Sequence, residues 1–108
     1  MKLTGKCKND FIEFLLNTDC KYSLNIEEGQ LVSDAFFECP LSMQYGVFVD
    51  FFDGVGLSIG VYKIDVSKWF GIILKDNRYL NNFKEGYFTL SEARTEAVKK
   101  ANEIYNAQ

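Results

Sequence analysis

The residues best equipped for chemistry are three cysteines, Cys7, Cys20 and Cys39, and the carboxylates Glu38, Asp50 and Asp53. The chain has no histidine. Without one, a Ser or Cys nucleophile lacks its commonest general base, and zinc sites that need imidazole ligands cannot be built. The cysteines show no C-x-x-C spacing, and an odd number does not make a disulfide framework. They read as reduced thiols in a cytosol. Asp50 and Asp53 could hold a divalent cation or perform acid–base work, but nothing in the spacing sets their separation. Gly54-x-Gly56-x-x-x-Gly60 superficially resembles a nucleotide-binding glycine loop. Such a loop must run from a strand into a helix, whereas a strand is expected after these glycines. No catalytic residue, metal site or cofactor is therefore expected.

Charge points elsewhere. The net charge is −3, but residues 1–54 hold 4 Lys against 9 Asp/Glu, whereas residues 55–108 hold 8 Lys/Arg against 6. Between Tyr22 and Tyr62 no cation occurs, while Glu27, Glu28, Asp34, Glu38, Asp50 and Asp53 all do. Such a surface repels a phosphate backbone and attracts a basic protein surface. At 108 residues and 47% hydrophobic, the chain suits one domain, residues 1–108, with a proper core. No apolar run is long enough for a membrane span or a signal peptide, so a cytoplasmic location is expected.

The elements that must position these groups follow from periodicity. Leu3, Cys7, Phe11, Phe14 and Leu15 recur at helical spacing, with Thr4 as N-cap and a stop at residues 17–19. Residues 20–40 read as a loop with one short helix, ended by Pro40. Residues 45–62 are rich in Val, Ile, Phe and Tyr on both sides of Asp53-Gly54, a hairpin dipeptide. A three-residue loop, Phe52-Asp53-Gly54 with Gly54 left-handed, pairs Phe51 with Val55, Val49 with Leu57 and Val47 with Ile59. That register collects the aliphatic residues on one face. A further strand is expected at 68–75, where Phe70, Ile72 and Leu74 alternate with Trp69, Gly71 and Ile73, and Tyr87-Phe88 is a candidate fourth strand. The last helix, residues 90–105, opens with the capping box Thr89-Leu90-Ser91-Glu92 and carries an apolar face of Leu90, Ala93, Ala97, Ala101 and Ile104.

The expected fold is thus α+β: an N-terminal helix, a three-stranded antiparallel sheet open to a fourth strand, and a C-terminal helix packed on the sheet. Both sheet faces then carry apolar groups, and one helix covers one face. Either the first helix covers the second face or a partner does. The face bearing Phe48, Asp50 and Phe52 is accordingly the expected binding surface, since exposed aromatic patches mark interfaces.

Three stretches carry a resemblance: Met1-Lys2-Leu3-Thr4-Gly5-Lys6-Cys7-Lys8, Tyr45-Gly46-Val47-Phe48-Val49-Asp50-Phe51-Phe52-Asp53, and the alanine-rich close through Lys100-Ala101-Asn102-Glu103-Ile104-Tyr105-Asn106. Together they resemble small uncharacterised phage- and prophage-encoded proteins. The resemblance implies a mobile-element origin and a bacterial host cytoplasm, with no activity or site residue attached. The expected helix–strand–strand–strand–helix order also resembles double-stranded-RNA-binding domains, whose last helix starts with basic residues. Here it starts Ser91-Glu92-Ala93-Arg94.

A non-enzymatic protein-interaction module, binding a protein partner or a second copy of itself, is the leading expectation. Nucleic-acid binding through Lys63, Lys68, Lys75, Arg78 and Lys84 is the second class. A histidine-independent enzyme comes third.

Overall fold

The computed structural model describes all residues except 23–30, 64–67, 77, 83–85 and 88, and gives only the backbone of 19–22 and 79–82. In chain order the elements are α1 (Gly5–Tyr22), α2 (Val32–Phe37), α3 (Leu41–Gly54), β1 (Leu57–Lys63), β2 (Trp69–Lys75), β3 (Arg78–Asn82) and α4 (Leu90–Ala107). The α+β class is as expected. The architecture is not, because three helices precede the strands.

The largest correction concerns residues 45–52, expected as a strand and folded as the body of α3. The residues it buries are Gln44, Val47, Phe48, Phe51 and Phe52, a three-and-four spacing that lines one side of a helix. Pro40 ends the preceding turn and sits at the N-cap, where its missing N–H costs nothing. The Asp53-Gly54 pair is therefore the last turn of a helix, and no hairpin forms there. The left-handed residue is Gly56, at φ +88°, two positions beyond Gly54. The Val55 N–H donates to Phe52 O (3.1 Å) and the Gly56 N–H to Asp53 O (3.1 Å), and the chain then turns into β1.

The expected sheet, with residues 45–52 as its first strand, consequently does not form. The two later strands do. β1 and β2 pair antiparallel, with Ile59 opposite Ile73 and Val61 opposite Gly71. β3 runs along the other side of β2 with a register shift at Ile73/Leu74. Tyr87 adds only a single bridge to Trp69, each N–H donating to the other's carbonyl at 2.7 Å, and Phe88 lies outside the described residues.

α4 matches its sequence pattern. The Thr89 hydroxyl oxygen accepts from the Glu92 N–H (3.1 Å) and the hydroxyl donates to the Glu92 carboxylate (2.9 Å). Ala93, Ala97, Val98 and Ala101 are buried, and the small side chains let the helix lie close to β1 and β2. α3 lies against β1 on the same side.

α1 extends a turn past its expected stop and buries Leu3, Cys7, Phe11 and Leu15. Its ring at Phe11 stands within 5.1 Å of Phe36, 4.8 Å of Phe48 and 5.2 Å of Phe51, centroid to centroid. These rings form the centre of the core. The helix packs on α2 and α4 and leaves the sheet to α3 and α4. The short helix expected within 20–40 is α2, and the buried Gln44 amide closes its end by donating to Phe37 O (3.2 Å) and Cys39 O (2.8 Å).

The start of α1 is held by α4. The Thr4 hydroxyl, expected as the cap, is taken up by the Asn102 amide, which donates to it at 3.0 Å. Asn106 Oδ1 accepts from the Cys7 N–H (2.9 Å) in its place, one of the free N–H groups of the first turn. Gly5 makes room for this at φ +61°, since a Cβ there would stand 3.2 Å from Asn106 Oδ1.

Candidate functional site

Of the three residues expected to form a binding face, Phe48 and Phe52 are fully buried on α3. They belong to the core and present nothing to a partner. Asp50, on the same helix, is exposed. The structure therefore separates the trio, because a helix turns 100° per residue where a strand would have set alternate residues on one side.

The sheet supplies a different face. Directly opposed residues of an antiparallel pair share a side. Leu57, Ile59, Val61 and Ile73 point to the helices and join the core. The pairs Ser58–Leu74, Gly60–Ile72 and Tyr62–Phe70 occupy the other side. Tyr62, Phe70, Ile72 and Leu74 are half-buried, and none belongs to the core cluster. Among the described residues no helix packs on them. The Tyr62 and Phe70 rings stack with centroids 6.0 Å apart. Gly60 lies beside Ile72, and the missing side chain leaves that part of the surface low.

Of the strand cations, Lys68, just before β2, adjoins this face beside Phe70, whereas Lys63, opposite Trp69 with Nζ 5.4 Å from its ring centroid, lies on the helix side. Lys75, opposite Leu57, is also on the helix side, and it pairs with Arg78 across the β2–β3 turn, where Asp76 takes φ 52°. Lys84 lies outside the described residues. The exposed acids Asp34, Glu38, Asp50 and Asp53 are on the helical side, which also carries Lys6, Lys8, Arg94, Lys99 and Lys100, so the charge division read along the chain does not become a division between two sides of the fold. Glu27 and Glu28 lie outside the described residues.

The other chemical candidates resolve into structure. Asp53 Oδ1 accepts from the Ser58 hydroxyl (3.2 Å), tying the end of α3 to β1. Among the described residues no group of three or more Cys, Asp or Glu could hold a metal ion. Gly54 ends a helix and Gly56 leads into a strand, the reverse of the strand-to-helix order that a phosphate loop needs. Cys39 is half-buried, its thiol donating to Ala35 O at 3.5 Å, and the side chain of Cys20 is outside the described residues. No described helix is long and apolar enough to cross a membrane.

Cys7 is buried, and burial first, then the nearby Asp10 carboxylate, pushes its thiol from 9.0 up to about 12. The Tyr105 hydroxyl donates to Asp10, and that bond, with burial, raises the phenol from 10.0 to about 12. Both groups keep their protons in the folded chain at pH values where the unfolded chain loses them. The stability they contribute is complete below pH 9 and is lost as pH rises toward 12. The urea midpoint is expected to fall steadily over that window, and a Cys7→Ala/Tyr105→Phe variant is expected to fall less. Equal slopes for the two proteins would rule these groups out as the source.

The residues missed by sequence reasoning, Tyr62, Phe70, Ile72 and Leu74, did leave a signal. Residues 69–75 are apolar at nearly every position, which means a strand with two apolar faces. The chain matches no protein-family model, and no curated protein or solved structure shows significant similarity to it.

Proposed function

We propose that this chain is a non-enzymatic protein-interaction module that binds through the outer face of β1 and β2. The observation that carries this reading is the side of the sheet bearing Tyr62, Phe70, Ile72 and Leu74, which no described helix covers. Apolar side chains contiguous across two strands suit a partner surface with an apolar centre. The phage or prophage origin and cytoplasmic location rest on the resemblance of the opening, middle and closing segments.

An Ile72→Glu/Leu74→Glu variant tests it. Both side chains are outside the core, so the thermal midpoint is expected to change little, while charge in the centre of the face abolishes binding. In a pull-down from bacterial lysate, proteins retained by the wild type should be lost from the variant by tenfold or more, on the order of the effect of removing an interface centre. In size-exclusion chromatography any self-association should disappear with the same change. Equal retention by the two proteins, together with equal elution, would remove the outer face from consideration.

A second reading has one observation in its favour. The stacked Tyr62 and Phe70 rings, with Lys68 adjoining, resemble in composition a platform on which single-stranded bases stack. It requires affinity for an unstructured oligonucleotide that falls with salt and is lost in Tyr62→Ala/Phe70→Ala. The net charge of −3 opposes it.

A further inference from the structure

A second concave site lies at the far end of the helical layer. The segment preceding α1, the first turns of α1 and the end of α2 enclose an open cavity of about 310 Å³, lined by Met1, Lys2, Leu3, Lys8 and Phe37. This is near the lower end of the size range of small-molecule sites, ~300–1,000 Å³. The Phe37 side chain is 40% exposed, a large ring left at the edge of a hollow, while Leu3 beneath is almost fully covered. The lining holds two cations and no anion.

The state of the lysines separates this hollow from an ordinary surface dip. Lys6, on the same helix, is engaged, with Nζ 3.5 Å from the Asp10 carboxylate and 5.3 Å from the centroid of the Tyr105 ring. Lys2 and Lys8 are exposed and, among the described residues, form no ion pair. Two uncommitted ammonium groups therefore flank an apolar hollow. Glu38 follows Phe37 in the chain, but the hollow itself is lined by no acid, so Lys2 and Lys8 are the charged side chains of its wall.

From this arrangement we infer that the cavity binds a small amphipathic carboxylate, a medium-chain alkyl acid whose tail lies on Phe37, Leu3 and Met1 and whose head meets Lys2 and Lys8. Burial of the tail supplies attraction without direction, and the two cations select for the acid. The site is separate from the outer sheet face, and the two proposals stand or fall independently.

The test is titration of octanoate into the ¹⁵N-labelled full chain, with octan-1-ol as the uncharged comparison. Octanoate is expected to shift the amides of Leu3, Lys8 and Phe37. A Lys2→Glu/Lys8→Glu variant, changed only at exposed positions, should weaken octanoate about tenfold, as expected for two exposed ion pairs. The weaker binding of octan-1-ol should be the same in both proteins. Phe37→Ala should weaken both ligands alike. The inference is overturned if octanoate shifts no amides, if the amides it shifts lie on β1 and β2, or if the double variant binds it as well as the wild type. A short peptide ending in Leu with a free carboxylate is the last arm. Tighter binding of that peptide at the same amides would assign the cavity to a protein terminus and displace the small acid.

Discussion

Phe48→Ala should lower the free energy of unfolding by about 3–5 kcal/mol, the usual cost of removing a buried ring. Phe48 has 0% exposure and lies within 4.8 Å of Phe11 and 5.4 Å of Phe36, centroid to centroid. Its removal leaves a cavity among rings that cannot collapse together, since Phe11 is also fixed against Phe51. A domain of this size has roughly 5–15 kcal/mol in total, so a large part of its stability should go. Urea denaturation gives the value, and Phe48→Leu should lose much less. A change under about 1 kcal/mol would mean that Phe48 is not in the core. This outcome bears directly on function, because the same substitution read as an interface test would confuse unfolding with lost binding. Ile72→Glu/Leu74→Glu avoids that confusion.

Asn102→Ala should cost about 2–3 kcal/mol, the combined effect of lost hydrogen bonds and a polar group left without a partner. Asn102 is only 6% exposed; its Oδ1 accepts from the Thr4 N–H (2.9 Å) and its amide donates to the Thr4 hydroxyl (3.0 Å). One turn later, Asn106 Oδ1 accepts from the Cys7 N–H while its amide donates to Thr4 O, both at 2.9 Å. The two asparagines thus join the first turn of α1 to the last turns of α4. Truncation of Asn102 should increase hydrogen exchange at Lys6, Cys7 and Lys8 before it affects the sheet. Because Asn106 is exposed, Asn106→Ala should cost less, about 1 kcal/mol. If Asn102→Ala stays within about 0.5 kcal/mol of the wild type, the cap on α1 is not a source of stability.

The start of α4 and the strand β2 were legible for physical reasons that act locally. The Thr89 cap is satisfied within three residues, and the apolar stripe of α4 follows the helix period along its length. Four of the seven residues of 69–75 are β-branched or aromatic, Trp69, Phe70, Ile72 and Ile73, so the strand is favoured locally. The stretch 45–52 was different. Val47, Val49 and Phe51 satisfy a period of two, whereas Gln44, Val47, Phe48, Phe51 and Phe52 satisfy the helical period, and composition favoured the first. The helix wins because it buries Phe48 and Phe52 together, toward Phe11 and the sheet, where a strand would have placed them apart from Val47 and Phe51.

The same competition governs the candidate site. That the sheet would carry apolar groups on both faces follows from composition alone. Which residues those are depends on α3 being a helix, and whether the second face is covered depends on where α1 packs. α1 has an apolar stripe that would fit a sheet or another helix equally well. It goes to α2 and α4 because Asn102 and Asn106 hold its first turn and Phe36, Phe48 and Phe51 receive its central ring. By itself the sequence determined the class, the closing helix and the β1–β2 strands. Tertiary packing decided that Phe48 and Phe52 enter the core and that Tyr62, Phe70, Ile72 and Leu74 face away from every described helix. Those outcomes come from contacts between residues far apart in the chain, which local periodicity cannot specify.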